Sequence, residues 1–97
     1  MWVLHSSEEA EGGPYRFRMT PGRVRTLGRG TRADFVVDAT LVSRMHCRLL
    51  VADGELVVEN LGSTNGTFVN GQKVERATLK AGDQLRTGRV ELTVSAD

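Results

Sequence analysis

A single cysteine, Cys47, stands in a chain of 97 residues, so no internal disulfide and no cysteine-based zinc site can form. Aromatic residues make up only 5%, too few for the stacking platforms on which single-stranded nucleic acids lie. Net charge is +1, which leaves no electrostatic footprint for a polyanion. No apolar run approaches the ~20 residues that cross a bilayer as a helix. The opening segment MWVLHSSEEAEGG has neither a basic start nor a long apolar stretch, so it reads as no secretory signal. Together these absences predict a domain free of membrane and nucleic acid, with no cofactor or metal. They place it inside the cell, in the cytoplasm, or in the nucleus if the source is a eukaryote. The length suits one compact domain spanning 1–97, a monomeric unit of the size that also serves as one module of a larger protein.

What is present is β-patterned. Helical periodicity is almost absent, and short stretches rich in Val, Leu, Phe and Thr alternate with Gly, Pro, Asn, Asp and Ser clusters. The expected strands are Trp2–His5, Tyr15–Met19, Val24–Gly28, Phe35–Val37, His46–Ala52, Leu56–Asn60, Thr67–Val69, Gln84–Thr87 and Val90–Val94. Val90, Leu92 and Val94 alternate with Glu91 and Thr93; Cys47, Leu49 and Val51 alternate with His46, Arg48 and Leu50. Each such strand should bury one face and wet the other. Asp53-Gly54 and Asn70-Gly71 are hairpin signals, and Lys80–Asp83 is a short turn. Ser6–Gly13 (SSEEAEGG) reads as a mobile polar loop. About nine short strands at close spacing predict an all-β sandwich.

Charge is unevenly spread. Residues 23–48 carry six arginines against Asp34 and Asp38, a net of +4, while the remainder carries seven basic and ten acidic residues, a net of −3. A cationic segment built only from arginine suits a small anion, because the guanidinium fork matches phosphate and carboxylate.

Three islands carry possible chemistry: LGRG at 27–30, VSRMH at 42–46 and GSTNGT at 62–67. Each falls at a strand edge, where binding groups are displayed. Gly28-Arg29-Gly30 sets an arginine between glycines, which on its own reads more readily as a solvated turn than as a site. Ser43 and His46 invite a nucleophile–base reading, but there is no G-x-S-x-G elbow and no evident group to orient the base. His46 is better suited to holding loop backbone through its two ring nitrogens. The glycine-rich island lacks the lysine of a Walker loop and opens no helix, so nucleotide binding is unsupported. Exposed N–H groups in such a turn can form an anion-binding concavity, but taken singly the run reads as an Asn-Gly turn leading into Thr67–Val69.

Taken together, Gly28-Arg29, then Ser43-Arg44-Met45-His46, then Leu61 through Gly71, resemble the forkhead-associated (FHA) domain family. The LKAGDQLRTG run is similar to the family's closing turn and strand, and the resemblance covers about 15–94. It implies a sandwich of two antiparallel or mixed sheets, about eleven short strands and binding loops at one end. It also implies a non-catalytic module that recognises phosphothreonine in a partner protein or peptide during signalling. By position, Arg29, Ser43 and Thr64 match phosphate contacts, Arg44 a further phosphate or backbone contact, and Asn65 the residue that holds the peptide main chain. Gly28, His46 and Gly66 match loop-maintaining residues, and Asn70 a turn asparagine that braces the site. Leu41 lies near the position that selects the third residue after the phosphothreonine, and an apolar residue there argues against a strictly acidic preference. Asn60 departs from the usual Asp, with a local effect expected. The alternative is phosphate-independent protein–protein interaction through a sheet face or edge on the same fold.

Overall fold

The computed structural model describes residues 1–96. Eleven strands account for its regular structure: β1 (Trp2–His5), β2 (Arg16–Arg18), β3 (Val24–Gly28), β4 (Phe35–Val36), β5 (Cys47–Ala52), β6 (Glu55–Asn60), β7 (Thr67–Val69), β8 (Gln72–Val74), β9 (Arg76–Leu79), β10 (Gln84–Thr87) and β11 (Val90–Ala96). A six-stranded sheet, β2-β1-β11-β10-β7-β8, faces a five-stranded sheet, β4-β3-β5-β6-β9. The β3–β4 pair is parallel and the other recorded pairs run antiparallel.

Alternation decides which side chains meet between the sheets. Val90, Leu92 and Val94 are buried and Glu91 is exposed; Cys47 and Leu49 are buried and Arg48 is exposed. Leu4, Leu27, Leu56, Val58 and Leu85 join them in one core, each contributing about 1.5–3 kcal/mol on burial. Along one side the edge strands are closed by Phe17 of β2 stacked on Phe35 of β4, with centroids 4.6 Å apart.

Asp53 and Gly54 both take positive φ (54° and 78°), as do Asn70 and Gly71 (50° and 84°). Positive φ at both central residues is what a tight hairpin of matching twist requires, and the pairs Ala52↔Glu55 and Val69↔Gln72 flank these turns.

The structure adds β8 and β9, which periodicity does not mark: QKV and RATL are short, and most of their residues are exposed. It also anchors Ser6–Gly13 instead of leaving the loop free. Ser6 Oγ accepts the Tyr15 N–H (2.7 Å), Tyr15 donates its hydroxyl to the Glu11 carbonyl (2.8 Å), and the Glu11 carboxylate accepts the Thr40 N–H (2.8 Å). One acidic side chain reaching across to the β4–β5 connection is enough to fix a loop whose composition reads as mobile.

The binding-type loops gather at one end. β3 finishes where β5 begins, with Leu27 opposite Cys47, and the two following segments are zipped together. Arg29 donates its N–H to Ser43 O (2.9 Å), Gly30 to Arg44 O (3.1 Å), and His46 to Leu27 O (2.8 Å). This approach is possible only because residue 28 has no side chain: a Cβ there would lie 2.0 Å from Arg44 O. Gly28→Ala should therefore cost about 2–4 kcal/mol in urea denaturation, in the range of severe overpacking. Gly62 has a φ of +68° but no atom within 4 Å of its virtual Cβ, so Gly62→Ala should cost only about 1–2 kcal/mol of left-handed backbone. Equal losses in the two variants would refute close approach as the role of Gly28.

Candidate functional site

A cavity of about 220 Å³ opens at the loop end, lined by Arg29, Leu41, Val42, Ser43, Thr64 and Asn65. It brings the β3–β4, β4–β5 and β6–β7 connections together, and none of its lining residues is acidic.

His46 holds two of these loops. Strand alternation places it with the wet residues of β5, yet it is fully buried. Its Nδ1 accepts the Ser43 N–H (3.0 Å) and its Nε2–H donates to Gly66 O (2.8 Å). An acceptor at one nitrogen and a donor at the other specify the neutral imidazole. Burial lowers its pKa, partly opposed by the bond to Gly66 O. With both nitrogens engaged, no lone pair is left to take a proton from the Ser43 hydroxyl, so the pair is not a nucleophile and its base.

Ser43 Oγ instead accepts the Thr64 N–H (3.1 Å). This contact ties the second loop to the third and leaves the hydroxyl proton of Ser43 available to an acceptor in the cavity. Among the described residues, the Thr64 hydroxyl and the Arg29 guanidinium have no recorded hydrogen-bond or ion-pair partner. Asn65 donates its amide to Leu41 O (3.1 Å). Leu41 has a φ of 67°, a costly conformation for a γ-branched side chain. It is held there by this bond and by the neighbouring Glu11–Thr40 contact, and the Leu41 side chain stays 46% exposed at the cavity rim.

The third loop is shaped from within by Asn60. Its Oδ1 accepts both the Ser63 hydroxyl (2.6 Å) and the Thr67 hydroxyl (2.9 Å), while Ser63 Oγ accepts the Gly66 N–H (3.1 Å). The amide nitrogen of Asn60 donates to Glu75 Oε1 (3.3 Å). An aspartate would have no donor for Glu75 and would set two carboxylates against each other. The departure at residue 60 is thus matched by the acid across the sheet.

Arg44 is placed beside the cavity, in a second groove with Gly30, Thr31, Arg32 and Met45. Asn70 is not brought to the cavity. It sits at the far end of β7, about 10 Å of strand away, where its amide donates to Asp83 (3.0 Å) and its Oδ1 accepts the Gln84 N–H (2.9 Å). Any support it gives the loops passes along β7. Sequence reasoning did not single out Ser63, Thr67 and Glu11, the residues that shape the loops from behind. The S-T-N-G-T run contains the first two, but nothing in it tells a loop-shaping hydroxyl from a ligand-facing one.

Known proteins resemble this chain in sequence and in fold. A family model described as FHA domain matches residues 25–88. The glycogen accumulation regulator GarA of Mycolicibacterium smegmatis is 38% identical over 67 residues, 69% of this chain and 42% of GarA. An oxoglutarate dehydrogenase inhibitor of Corynebacterium efficiens is 35% identical over 71 residues, 73% of this chain and 50% of the inhibitor. The chain thus spans half or less of the length of these two relatives, which are named as a regulator and an inhibitor. An FHA domain solved in a structural and functional analysis of phosphothreonine-dependent FHA domain interactions superposes with a TM-score of 0.88 at 30% identity, covering 99% of this chain and 96% of that one. On the matched family model, the two-sheet architecture and the three loops that meet at one end, the chain belongs to the FHA domain family.

Proposed function

We propose that this chain is a phosphothreonine-dependent recognition module that binds a phosphorylated partner and performs no chemistry on it. The observation that carries this reading is the convergence of Arg29, Ser43, Thr64 and Asn65 on one small cavity without a carboxylate. A phosphothreonine brings about −1.5 to −2 charge and three acceptor oxygens. Arg29 supplies charge-assisted bonds, and the free protons of Ser43 and Thr64 supply neutral ones. Asn65, already holding the Leu41 carbonyl, has acceptor and donor capacity left for an extended peptide backbone. Arg44, in the adjoining groove, is available for a further contact with the phosphate or the peptide backbone. Three or four such bonds at ~1.5–3 kcal/mol each must offset the cost of association and of ordering the peptide, which makes the interaction reversible. No helix among the described residues is long and apolar enough to cross a membrane, and we place the module in the cytoplasm as a monomeric unit.

Calorimetry with a phosphothreonine peptide tests the site. Arg29→Ala should weaken binding at least ~100-fold, as expected for loss of a bidentate charged contact. Its thermal midpoint should not move, because the exposed Arg29 side chain has no recorded partner among the described residues. Unchanged affinity would sink the assignment. Equal binding of the unphosphorylated peptide would favour the phosphate-independent reading.

Leu41 and Val42 form the apolar part of the cavity beside Asn65, a place for the threonine methyl. The phosphoserine form of the same peptide should bind about tenfold more weakly, the worth of one methyl in a fitted pocket. Equal affinities would show that no such pocket exists.

The pH dependence of the free domain follows from His46. Because burial lowers its pKa in the folded chain, the unfolded chain takes up the proton first. Stability is therefore full above the ordinary histidine range near pH 6.5 and falls as pH drops towards the folded value. The carboxylates with lowered pKa, Glu11, Asp34 and Glu59, act by the same sign only below their usual range of about 4. Urea denaturation without peptide should show stability declining between about pH 7.5 and 5.5, and the decline should persist in His5→Gln. A flat profile would remove His46 from this role.

A further inference from the structure

Beside the phosphate cavity lies a larger groove, of about 430 Å³, lined by Gly30, Thr31, Arg32, Arg44 and Met45. The two are contiguous through consecutive residues: Arg29 lines one and Gly30 the other, Ser43 lines one and Arg44 the other. Both segments are fixed in place by the bonds Arg29 N–H to Ser43 O and Gly30 N–H to Arg44 O, so the groove is as preorganised as the cavity. Its chemistry differs. Two guanidinium groups border it, and neither Arg32 nor Arg44 has an ion pair or a side-chain hydrogen bond among the described residues. No acid lines it. Asp34, the nearest carboxylate in the chain, is turned away and held by the Thr26 N–H (2.9 Å) and by Arg25 (3.9 Å). Met45 is 39% exposed and gives the groove an adaptable apolar wall.

The opposite flank has the other sign. Beyond Leu41 come Thr40 and the carboxylate of Glu11 that it binds, followed by a depression lined in part by Glu9, Glu11 and Glu91, with Arg89 as its one cation. The loop end is therefore polarised, arginine-rich on the Arg44 side and acid-rich on the Leu41 side.

We propose that the Arg32–Arg44 groove is a second specificity site, which receives an acidic side chain of the phosphopeptide on the flank that leaves the phosphate over Arg44. This rests on the phosphothreonine reading above and goes beyond it by assigning a sequence preference to residues outside the phosphate cavity. A carboxylate presents two acceptor oxygens in a plane, the arrangement that a guanidinium fork matches. The tetrahedral phosphate already has hydroxyl and guanidinium donors next door. An extended peptide advances about 3.3–3.6 Å per residue, so a neighbouring groove is reached within a few residues of the phosphothreonine.

The test is a set of phosphothreonine peptides with neutral flanks in which glutamate is placed at each flanking position in turn. Titrations use the wild-type domain and Arg32→Ala. Glutamate at positions on one flank should tighten binding about three- to tenfold, the range from a good exposed ion pair to a charged hydrogen bond. Arg32→Ala should abolish that gain and leave the affinity for the neutral-flank peptide unchanged. A gain at no position, or one that survives Arg32→Ala, would overturn the proposal while leaving phosphothreonine recognition intact. Equal weakening of acidic and neutral peptides by Arg32→Ala would also overturn it, because Arg32 would then serve the phosphate itself. If no phosphothreonine peptide binds, both readings fall.

Discussion

The loop end of this domain depends on one buried imidazole. His46 is the only group that touches the backbone of both the Ser43 loop and the Gly66 loop among the recorded contacts. Neither loop has regular pairing of its own at those atoms. Without the ring, the Ser43 N–H and Gly66 carbonyl would be buried and unpaired, at about 1–3 kcal/mol each. The links further out, from the Thr64 N–H to Ser43 Oγ and from the Asn65 amide to Leu41 O, presuppose that the two loops already sit at that separation. The arrangement is a hierarchy: the imidazole sets the spacing, hydroxyls refine it, and the groups that face the cavity are left with free protons.

The same hierarchy explains how much of the structure is legible in the sequence. The core strands are, because Val90, Leu92 and Val94 or Cys47 and Leu49 keep a strict period of two with one face buried. The hairpins at Asp53-Gly54 and Asn70-Gly71 are, because few residue pairs tolerate positive φ at both positions. β8 and β9 are not, since short segments such as Gln72–Val74 with mostly exposed residues give alternation nothing to register. The family resemblance supplies what periodicity misses, eleven strands in place of nine. His46 shows the limit of the period argument: its phase in β5 is solvent-facing, and only a loop folded over it from twenty residues further along makes it interior. The Ser6–Gly13 loop fails for a related reason, because the long-range bonds from the Thr40 N–H and hydroxyl to the Glu11 carboxylate leave no local signature.

Asn60 illustrates how a departure from a family pattern is absorbed. Two hydroxyls converge on its Oδ1, a role an aspartate would fill equally well. The difference lies entirely on the other side of the group, where the amide meets Glu75 and the Asn60 N–H meets the Glu75 carbonyl (2.9 Å). The loop-facing half of the side chain is unchanged and the sheet-facing half is matched to its neighbour. A substitution of this kind leaves the ligand-facing geometry alone, because the loop senses only the acceptor oxygen.

The distribution of arginine partners separates structural charge from charge kept for a ligand. Arg48 and Arg76 clasp Glu59 on the outer face of β5, β6 and β9, Arg25 lies near Asp34, and Arg86 lies over the Phe68 ring at 4.1 Å. Each of these cations is matched inside the fold. At the loop end Arg29, Arg32 and Arg44 have no such counterpart among the described residues, and the acid closest to them in the chain, Asp34, is consumed by Thr26 and Arg25. The guanidinium groups of Arg29, Arg32 and Arg44 are thus left without an internal counter-ion, a charge that an anion from outside would complete. The near-zero net charge of the whole chain conceals this, because the sum counts paired and unpaired cations alike.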